Sequence, residues 1–313
     1  MKIKHFTDSD LDGISCGIII NHIPAVETHD IVYSNPRDIN KDVENFIKAK
    51  EYLNYDKVFI TDLSVKEPIA LFIDALTHAV PEVDWALIDH HKSALYLNEF
   101  EWCSVSVTDD NGDKCSASYL LFLGCSDKID SNAMEYYIDM VNRYDTFRWV
   151  VEGDVRPKYL NDLLRAYGRE RFIDHVNEFI KKDSVEVLID NPVEKMVITL
   201  EQEKIARHID MVEQSMERMY FGKYRVGVAF CNNYISETGN TICTRNRDIH
   251  FIIMIILGAK NASMRTIRDD IDLSKIAVAL GGGGHDKAAG FPLDITCSSI
   301  LQPFSSIMLE KEI

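Results

Sequence analysis

The chain has 313 residues, of which 46% are hydrophobic and 27% are charged, so it can fill a hydrophobic core and is long enough for two domains. Its formal net charge of −16 argues against a protein that coats long duplex nucleic acid, because such binding depends on neutralising phosphates. No apolar run is long enough to span a membrane and the amino terminus has no signal-peptide core, so we expect a cytoplasmic protein without membrane contacts.

Short apolar runs that are typical of β-strands alternate with helical patterns from residue 1 to about 190. The predicted strands are 2–6, 31–33, 58–61, 85–88 and 105–107, and helical patterns such as 39–50 and 68–79 lie between them. From residue 116 to about 182 the pattern is helical. The alternation predicts an α/β fold with a mostly parallel sheet and helices on both of its faces.

Three of the predicted strands end in acidic residues or histidines. The first strand runs into Asp8, Asp10 and Asp12, the next of the three into Asp62, and the last into Asp89, His90 and His91. In parallel sheets ligands bind at the carboxyl ends of the strands, and carboxylate and imidazole groups are ligands for divalent metals. We therefore expect these side chains to converge on one edge of the sheet.

Other interpretations of these acidic residues remain open. The loop at residues 8–13 matches the opening of an EF-hand calcium loop, but that loop needs a Glu at its twelfth position, where this chain has Ile19, and a helix before it. A solvated acidic turn without a metal is a second alternative. Asp62 has its own alternative role as the N-cap of a helix that begins near Val65.

The C-terminal part of the chain begins at Pro192 with an amphipathic helix that we expect to continue to about Tyr220 as a connector. Strand patterns at 224–230, 249–257 and 262–267 follow, and a short helix is predicted at 273–280. Residues 223–268 include seven basic and two acidic residues, which favours a phosphate-bearing ligand. The predicted segments are a domain at 1–190, a helical linker at 191–222 and a smaller α/β domain at 223–313.

A run of four glycines, Gly281 to Gly284, lies before His285 near the end of the chain. It is either a flexible hairpin or, if a helix begins after His285, a loop whose backbone amides approach a phosphate. Arg265 lies in a predicted strand and suits either a salt bridge or the bidentate binding of a phosphate.

The order and spacing of these motifs resemble the DHH superfamily of phosphoesterases, in the branch with a DHH-associated C-terminal domain that includes RecJ-type exonucleases, nanoRNases and pAp phosphatases. The matching pieces are Asp8-Ser9-Asp10-Leu11-Asp12-Gly13, Asp62, Asp89-His90-His91, Asp145, and Gly281-Gly282-Gly283-Gly284-His285 with Ala288-Ala289-Gly290. They cover nearly the whole chain, and the compact Asp-Leu-Asp-Gly form is similar to the NrnB-type oligoribonuclease group.

One position departs from the pattern of many members of this superfamily, which have His where this chain has Asp8. A carboxylate also binds the same metals, so the departure affects the expected metal preference more than the expected activity. His5 is the weaker candidate for the missing imidazole.

The resemblance implies a catalytic domain that holds two divalent cations, with Mn²⁺ expected and Mg²⁺ or Co²⁺ as alternatives. The implied metal ligands are Asp8, Asp10, Asp12, Asp62, His90 and Asp145, with Asp62 shared by both ions. The implied catalytic residues are His91, which faces the substrate phosphate, and Asp89, which orients a histidine. The implied substrate-binding residues of the DHH-associated domain are Arg265, Gly282, Gly283, Gly284 and His285.

The function that the resemblance implies is metal-dependent hydrolysis of short single-stranded oligonucleotides to mononucleotides. Cleavage of cyclic nucleotides or cyclic dinucleotides, or removal of phosphate from pAp, are alternatives that use the same metals. A non-catalytic nucleotide-binding sensor is an alternative of another class. The expected partner is a short oligonucleotide or a small phosphorylated nucleotide, and assembly into a homodimer stays open.

Overall fold

The structure is a computed structural model that describes residues 1–183 and 188–294. The chain divides into two compact units, Met1–Glu201 and Gln202–Ile313. The predicted domain at 223–313 extends past the described residues, and the predicted division into three segments stays a prediction. No helix of the described residues is long and apolar enough to cross a membrane.

The first unit alternates strands and helices up to β5 and is helical after it. Its elements are β1 (Lys2–Asp8), α1 (Leu11–Asn21), β2 (Thr28–Ser34), α2 (Ile39–Lys48), β3 (Lys57–Thr61), α3 (Glu67–Ala79), β4 (Asp84–Asp89), β5 (Cys103–Val105), α4 (Ala117–Leu123), α5 (Asn132–Asp145), α6 (Arg148–Glu152), α7 (Arg156–Tyr167) and α8 (Arg169–Lys182). Short 3-10 helices span Glu51–Asn54, Lys92–Glu99 and Ser126–Lys128.

The five strands of the first unit form one sheet in the order β2-β1-β3-β4-β5, and each neighbouring pair is parallel. One apolar cluster packs α1, α4, α5, α7 and α8 against the sheet, and a second cluster contains α2 and α3. The predicted α/β fold with helices on both faces is therefore confirmed. In sheets of this strand order the ligand site lies at the carboxyl ends of β1 and β3, where the connections that leave these two neighbouring strands run in opposite directions.

The second unit is a smaller α/β unit with a mixed sheet. Helix α9 (Pro192–Gln214) begins in the first unit and ends in the second, and is followed by β6 (Glu217–Phe221), β7 (Tyr224–Phe230), α10 (Ile235–Arg245), β8 (Phe251–Ile256), β9 (Asn261–Arg265), α11 (Leu273–Ala279), β10 (Gly283–Gly284) and β11 (Ala288–Pro292). The sheet order is β10-β11-β9-β8-β7-β6. The predicted strands and the short helix of this unit are confirmed.

The predicted length of the connecting helix was wrong, because α9 ends at Gln214 and does not continue to Tyr220. Residues Glu217–Phe221 instead form β6, which pairs with β7 in an antiparallel hairpin. Gly222 occupies the turn with φ +58, a left-handed conformation that glycine adopts without steric cost. The hairpin and its backbone pairing override the helical periodicity of this segment.

Of the two interpretations of the glycine run, the hairpin is confirmed, because Ala288–Pro292 form strand β11 and the glycine run pairs with it. No helix begins after His285 within the described residues. A Cβ atom on Gly282 would lie 2.0 Å from the carbonyl oxygen of Gly290, and Gly284 has φ +136. Both glycines are thus required by the close approach of two backbone segments.

Candidate metal centre

The acidic loop after β1 is held in a tight turn between a strand and a helix. Asp8 is the last residue of β1, and Asp10 is the N-cap of α1, where its Oδ1 accepts a hydrogen bond of 3.0 Å from the Gly13 amide. Asp12 lies in the first turn of α1. A Cβ atom on Gly13 would lie 2.3 Å from the Asp8 carbonyl oxygen, so only glycine allows this turn.

A chain of buried hydrogen bonds lies beneath this loop. The Thr7 hydroxyl donates to the Gly13 carbonyl oxygen at 3.0 Å and lies 2.9 Å from the Thr61 hydroxyl. His5 is fully buried, with Nε2 2.7 Å from the Thr61 hydroxyl and Nδ1 3.1 Å from Nε2 of His29. Burial and the neighbouring His29 lower the pKa of His5. Both ring nitrogens of His5 thus have partners inside the protein.

Asp62 follows β3 directly and has an unusual backbone conformation, with φ +54. Its side chain is buried, and its Oδ2 has no hydrogen-bond partner in the described parts of the chain. Helix α3 begins at Glu67 with Lys66 as its N-cap, so Asp62 does not cap a helix. Non-glycine residues in the left-handed region cluster at functional sites, since the surrounding fold must maintain the strain.

His90 lies among three carboxylates that come from different elements. Its Nε2 is 3.4 Å from Asp62 Oδ1 and 3.9 Å from Asp12 Oδ2, and its Nδ1 is 3.6 Å from Asp145 Oδ2. Asp145 is the last residue of α5. The structure therefore brings together side chains from the ends of β3, β4 and α5 and from the start of α1.

Asp12 is positioned by a contact that the sequence analysis missed. Its carboxylate is 1% exposed and accepts hydrogen bonds from the amides of Ala117 (2.8 Å) and Ser118 (3.0 Å). These amides belong to the N-terminus of α4, whose partial positive charge favours a carboxylate. The N-cap of α4 is Ser116, and a capping serine before an apolar run was the sequence signal for this helix terminus.

The carboxylates of the cluster destabilise one another in the absence of a cation. Burial raises the pKa of Asp8 to about 6, with a further contribution from Asp10. Burial and the nearby Asp10 raise the pKa of Asp62 well above its usual range, and burial together with Asp12 does the same for Asp145. Asp10 is exposed as a residue. Burial of its carboxylate and the charge of Asp12 nevertheless raise its pKa.

Asp89 and His91 form a pair at the carboxyl end of β4. Asp89 is fully buried, and its Oδ1 lies 2.7 Å from His91 Nδ1 and accepts hydrogen bonds from the amides of His90 (2.8 Å) and His91 (3.3 Å). The bond to Asp89 raises the pKa of His91 to about 9, so this half-exposed ring is a cation at neutral pH. Burial lowers the pKa of His90, which favours the neutral form that metals bind.

The donors of this site fit divalent cations. Among the described residues, Asp62, Asp89, His90 and His91 form one group whose ligand atoms lie within 4.8 Å of one another, and Asp12, His90 and Asp145 form another. A bound cation would compensate the buried oxygens of Asp62 and Asp89 that have no hydrogen-bond partner among the described residues, and the carboxyls whose pKa is raised. A set of carboxylates with an imidazole suits first-row divalent metals.

The expected substrate-binding residues lie in the second unit. Arg265 is the last residue of β9, and its guanidinium donates to the Ser263 hydroxyl (2.8 Å), the Met264 carbonyl oxygen (2.9 Å) and the Ser236 hydroxyl (3.3 Å). Burial lowers the pKa of Arg265. His285 is exposed, and its amide donates to the Ala288 carbonyl oxygen at 2.8 Å within the glycine hairpin. Their contact with a substrate stays a prediction.

Comparison with known proteins gives one curated relative of high similarity. Oligoribonuclease NrnB of Bacillus subtilis strain 168 is 35% identical to the chain over 296 residues, which cover 91% of this chain and 71% of that protein. No protein-family model matches the chain.

Solved structures share the fold at low sequence identity. The DHH domain of a member of a family of ribosomal proteins has a TM-score of 0.62 and 14% identity, and the match covers 99% of this chain and 87% of that one. The exonuclease RecJ bound to manganese has a TM-score of 0.50 and 14% identity, and the match covers 97% of this chain and 88% of that one.

Proposed function

The chain belongs to the DHH superfamily of phosphoesterases, and we propose that it is a metal-dependent hydrolase that cleaves short single-stranded oligonucleotides to mononucleotides. The observation that carries the proposal is the cluster of Asp12, Asp62 and Asp145 around His90. The name of its relative, an oligoribonuclease, supports short RNA as the substrate class.

The proposed ligands form two sets that share Asp62. The first set is Asp8, Asp10 and Asp62, and the second is Asp12, Asp62, His90 and Asp145. When bound, two divalent cations neutralise phosphoryl oxygens and lower the pKa of a water nucleophile. The expected ion is Mn²⁺, since it accepts both carboxylate and imidazole ligands, and the RecJ structure with the same fold contains manganese; Mg²⁺ and Co²⁺ are the alternatives.

His91 is proposed to stabilise negative charge on the substrate phosphate. Its Nδ1 is bound by Asp89, which holds the ring in one orientation and leaves Nε2 for the substrate. Because its pKa is about 9, the ring is protonated at neutral pH and donates a charged hydrogen bond. Charged donors at the position where charge develops are among the largest contributions to phosphoryl transfer.

The second unit is proposed to bind the remaining phosphate or sugar of the substrate through Arg265, His285 and the glycine hairpin at Gly282, Gly283 and Gly284. The basic residues between 223 and 268 support a phosphate ligand. A basic segment of limited size within a chain of net charge −16 favours a short oligonucleotide over a long strand.

The proposal is tested by separating products chromatographically after incubation of the purified chain with Mn²⁺. The substrates are a 5′-phosphorylated dinucleotide, a 24-mer, pAp and a cyclic dinucleotide. We expect the dinucleotide to be hydrolysed fastest per molecule. Equal or faster hydrolysis of the 24-mer would refute the preference for short substrates, faster hydrolysis of pAp or the cyclic dinucleotide would change the substrate class, and nucleotide binding without any product would indicate a sensor.

A further inference from the structure

A cleft in the first unit adjoins the candidate metal centre at the carboxyl edge of the sheet. It has a volume of about 470 Å³, and its lining includes Asp8, Asn40, Asp62, Lys66, His91 and Tyr96. Three of these residues belong to the site already described, and the others come from the segments after β2, β3 and β4. We call this feature the strand-end cleft. Its volume is typical of a site for one small ligand.

The wall of the strand-end cleft is held by hydrogen bonds on two sides. The side chain of Asn40 in α2 accepts a 2.7 Å hydrogen bond from the Lys66 amide. The Tyr96 hydroxyl donates to the Val65 carbonyl oxygen at 2.9 Å. The segment between β3 and α3 is thereby fixed, and the aromatic ring of Tyr96 is held in one position before any ligand arrives, which lowers the entropy cost of binding.

Two side chains of this wall are accessible to solvent. Tyr96 is 41% exposed although it is a large aromatic residue. Lys66 is exposed and lines the same cleft. An exposed aromatic ring and a cation that line the same cleft suit a nucleotide, because a base stacks on an aromatic ring and a cation attracts a phosphate.

We propose that the strand-end cleft binds the nucleotide that flanks the scissile phosphate, with its base against Tyr96 and a phosphate near Lys66. This inference rests on the proposed function, because the scissile phosphate is placed at the candidate metal centre. It assigns a nucleotide subsite to the first unit itself, in addition to the residues expected to bind substrate in the second unit. One such subsite accommodates one base, which agrees with a preference for short substrates.

The first experiment measures kcat and KM for the 5′-phosphorylated dinucleotide with Mn²⁺. Tyr96→Ala should raise KM about 5- to 150-fold, the range for loss of one base–aromatic stack, and Tyr96→Phe should have a much smaller effect because the ring remains. Lys66→Ala should raise KM and reduce the slope of log KM against log salt by about 0.7. The matched controls are Leu95→Ala, a 40% exposed neighbour of Tyr96 that does not line the cleft, and Lys41→Ala on α2.

The second experiment measures binding without turnover. The probe is a dinucleotide with a methylphosphonate linkage that blocks hydrolysis and with 2-aminopurine at one of its two positions. At one of these positions the fluorescence should be quenched on binding to the wild-type chain, and Tyr96→Ala should abolish the quenching. Removing the base at that position of the substrate should weaken binding to the wild-type chain but not to the Tyr96→Ala variant, since the two changes remove the same contact.

The outcomes separate this inference from the proposed function. Hydrolysis by the wild-type chain with unchanged KM in the Tyr96 and Lys66 variants would overturn the subsite and leave the function intact. Quenching that depends on Tyr96 without any hydrolysis would support the subsite and contradict the function. Absence of both binding and hydrolysis would overturn both.

Discussion

Asp62→Asn should be more stable than the wild-type chain without metal and less stable than the wild-type chain with Mn²⁺. Asp62 is 3% exposed, with Asp10, Asp12 and Asp145 raising its pKa beyond the effect of burial. Asn has the same shape without the charge and tolerates the φ of +54 observed at this position. In metal-free protein the substitution removes a buried, repelled charge, so we expect a gain of about 0.5–2 kcal/mol in the free energy of unfolding. For a unit of this size the apparent melting temperature should rise by about 1–8 °C.

With Mn²⁺ the wild-type chain should be more stable than Asp62→Asn. A ligand at a hundred times its dissociation constant stabilises the folded state by about 2.7 kcal/mol, and the wild-type chain should gain this while Asp62→Asn, which lacks the shared ligand, should gain little. Asp62→Ala is the second variant, and it should be less stable than Asp62→Asn by about 1–2 kcal/mol because alanine does not tolerate the left-handed conformation. Activity should be absent in both variants.

The pH dependence of stability in the metal-free protein tests whether the charge of Asp62 is destabilising. A carboxyl whose pKa is raised on folding binds more protons in the folded state, so stability falls as the pH rises through the raised pKa. The advantage of Asp62→Asn over the wild-type chain should therefore shrink as the pH is lowered. Thermal unfolding followed by circular dichroism in EDTA and in Mn²⁺ measures all of these differences. A metal-free Asp62→Asn variant that melts below the wild-type chain, or equal stabilisation of both by Mn²⁺, would refute the reasoning.

Three further predictions concern the supports of the site. We expect the activity of the wild-type chain to fall as the pH rises through about 9, the pKa of His91. Asp89→Asn should lower this pKa, so its activity should fall at lower pH. An unchanged pH–rate profile would contradict the role of this pair. Gly13→Ala should lower the free energy of unfolding by about 3 kcal/mol or more, because its Cβ would lie 2.3 Å from the Asp8 carbonyl oxygen. Urea denaturation measures this change, and a loss below 1 kcal/mol would contradict the tight turn. His5→Ala should destabilise the chain by about 1–3 kcal/mol and should weaken Mn²⁺ binding measured by calorimetry. A stability within 0.5 kcal/mol of the wild-type value would show that the buried hydrogen-bond chain is dispensable.

The location of the candidate site could be predicted because it depends on local patterns. Apolar runs that end in Asp62 and in Asp89-His90-His91 mark strand ends, and the carboxyl ends of parallel strands share one edge of the sheet. Hydrogen bonding and burial confirm the strands that bring these residues together.

The contacts that position the site residues could not be predicted, because they join segments far apart in the chain. Asp12 is held by amides of Ala117 and Ser118 in α4, and the strand-end cleft combines three separate loops. The end of α9 was mispredicted, and the choice between a hairpin and a helix after the glycine run stayed open, for a related reason. In both places pairing with another strand decides the backbone conformation, and periodicity does not report that pairing.

The central claim is that two divalent cations at the carboxyl edge of this sheet drive the hydrolysis of short oligonucleotides. The most direct test is to strip the chain of metal, titrate it with Mn²⁺ and follow mononucleotide release from a 5′-phosphorylated dinucleotide. We expect no release without metal and a rate that reaches its plateau at two bound ions per chain. Full activity in EDTA, or a plateau reached with a single ion, would contradict the claim.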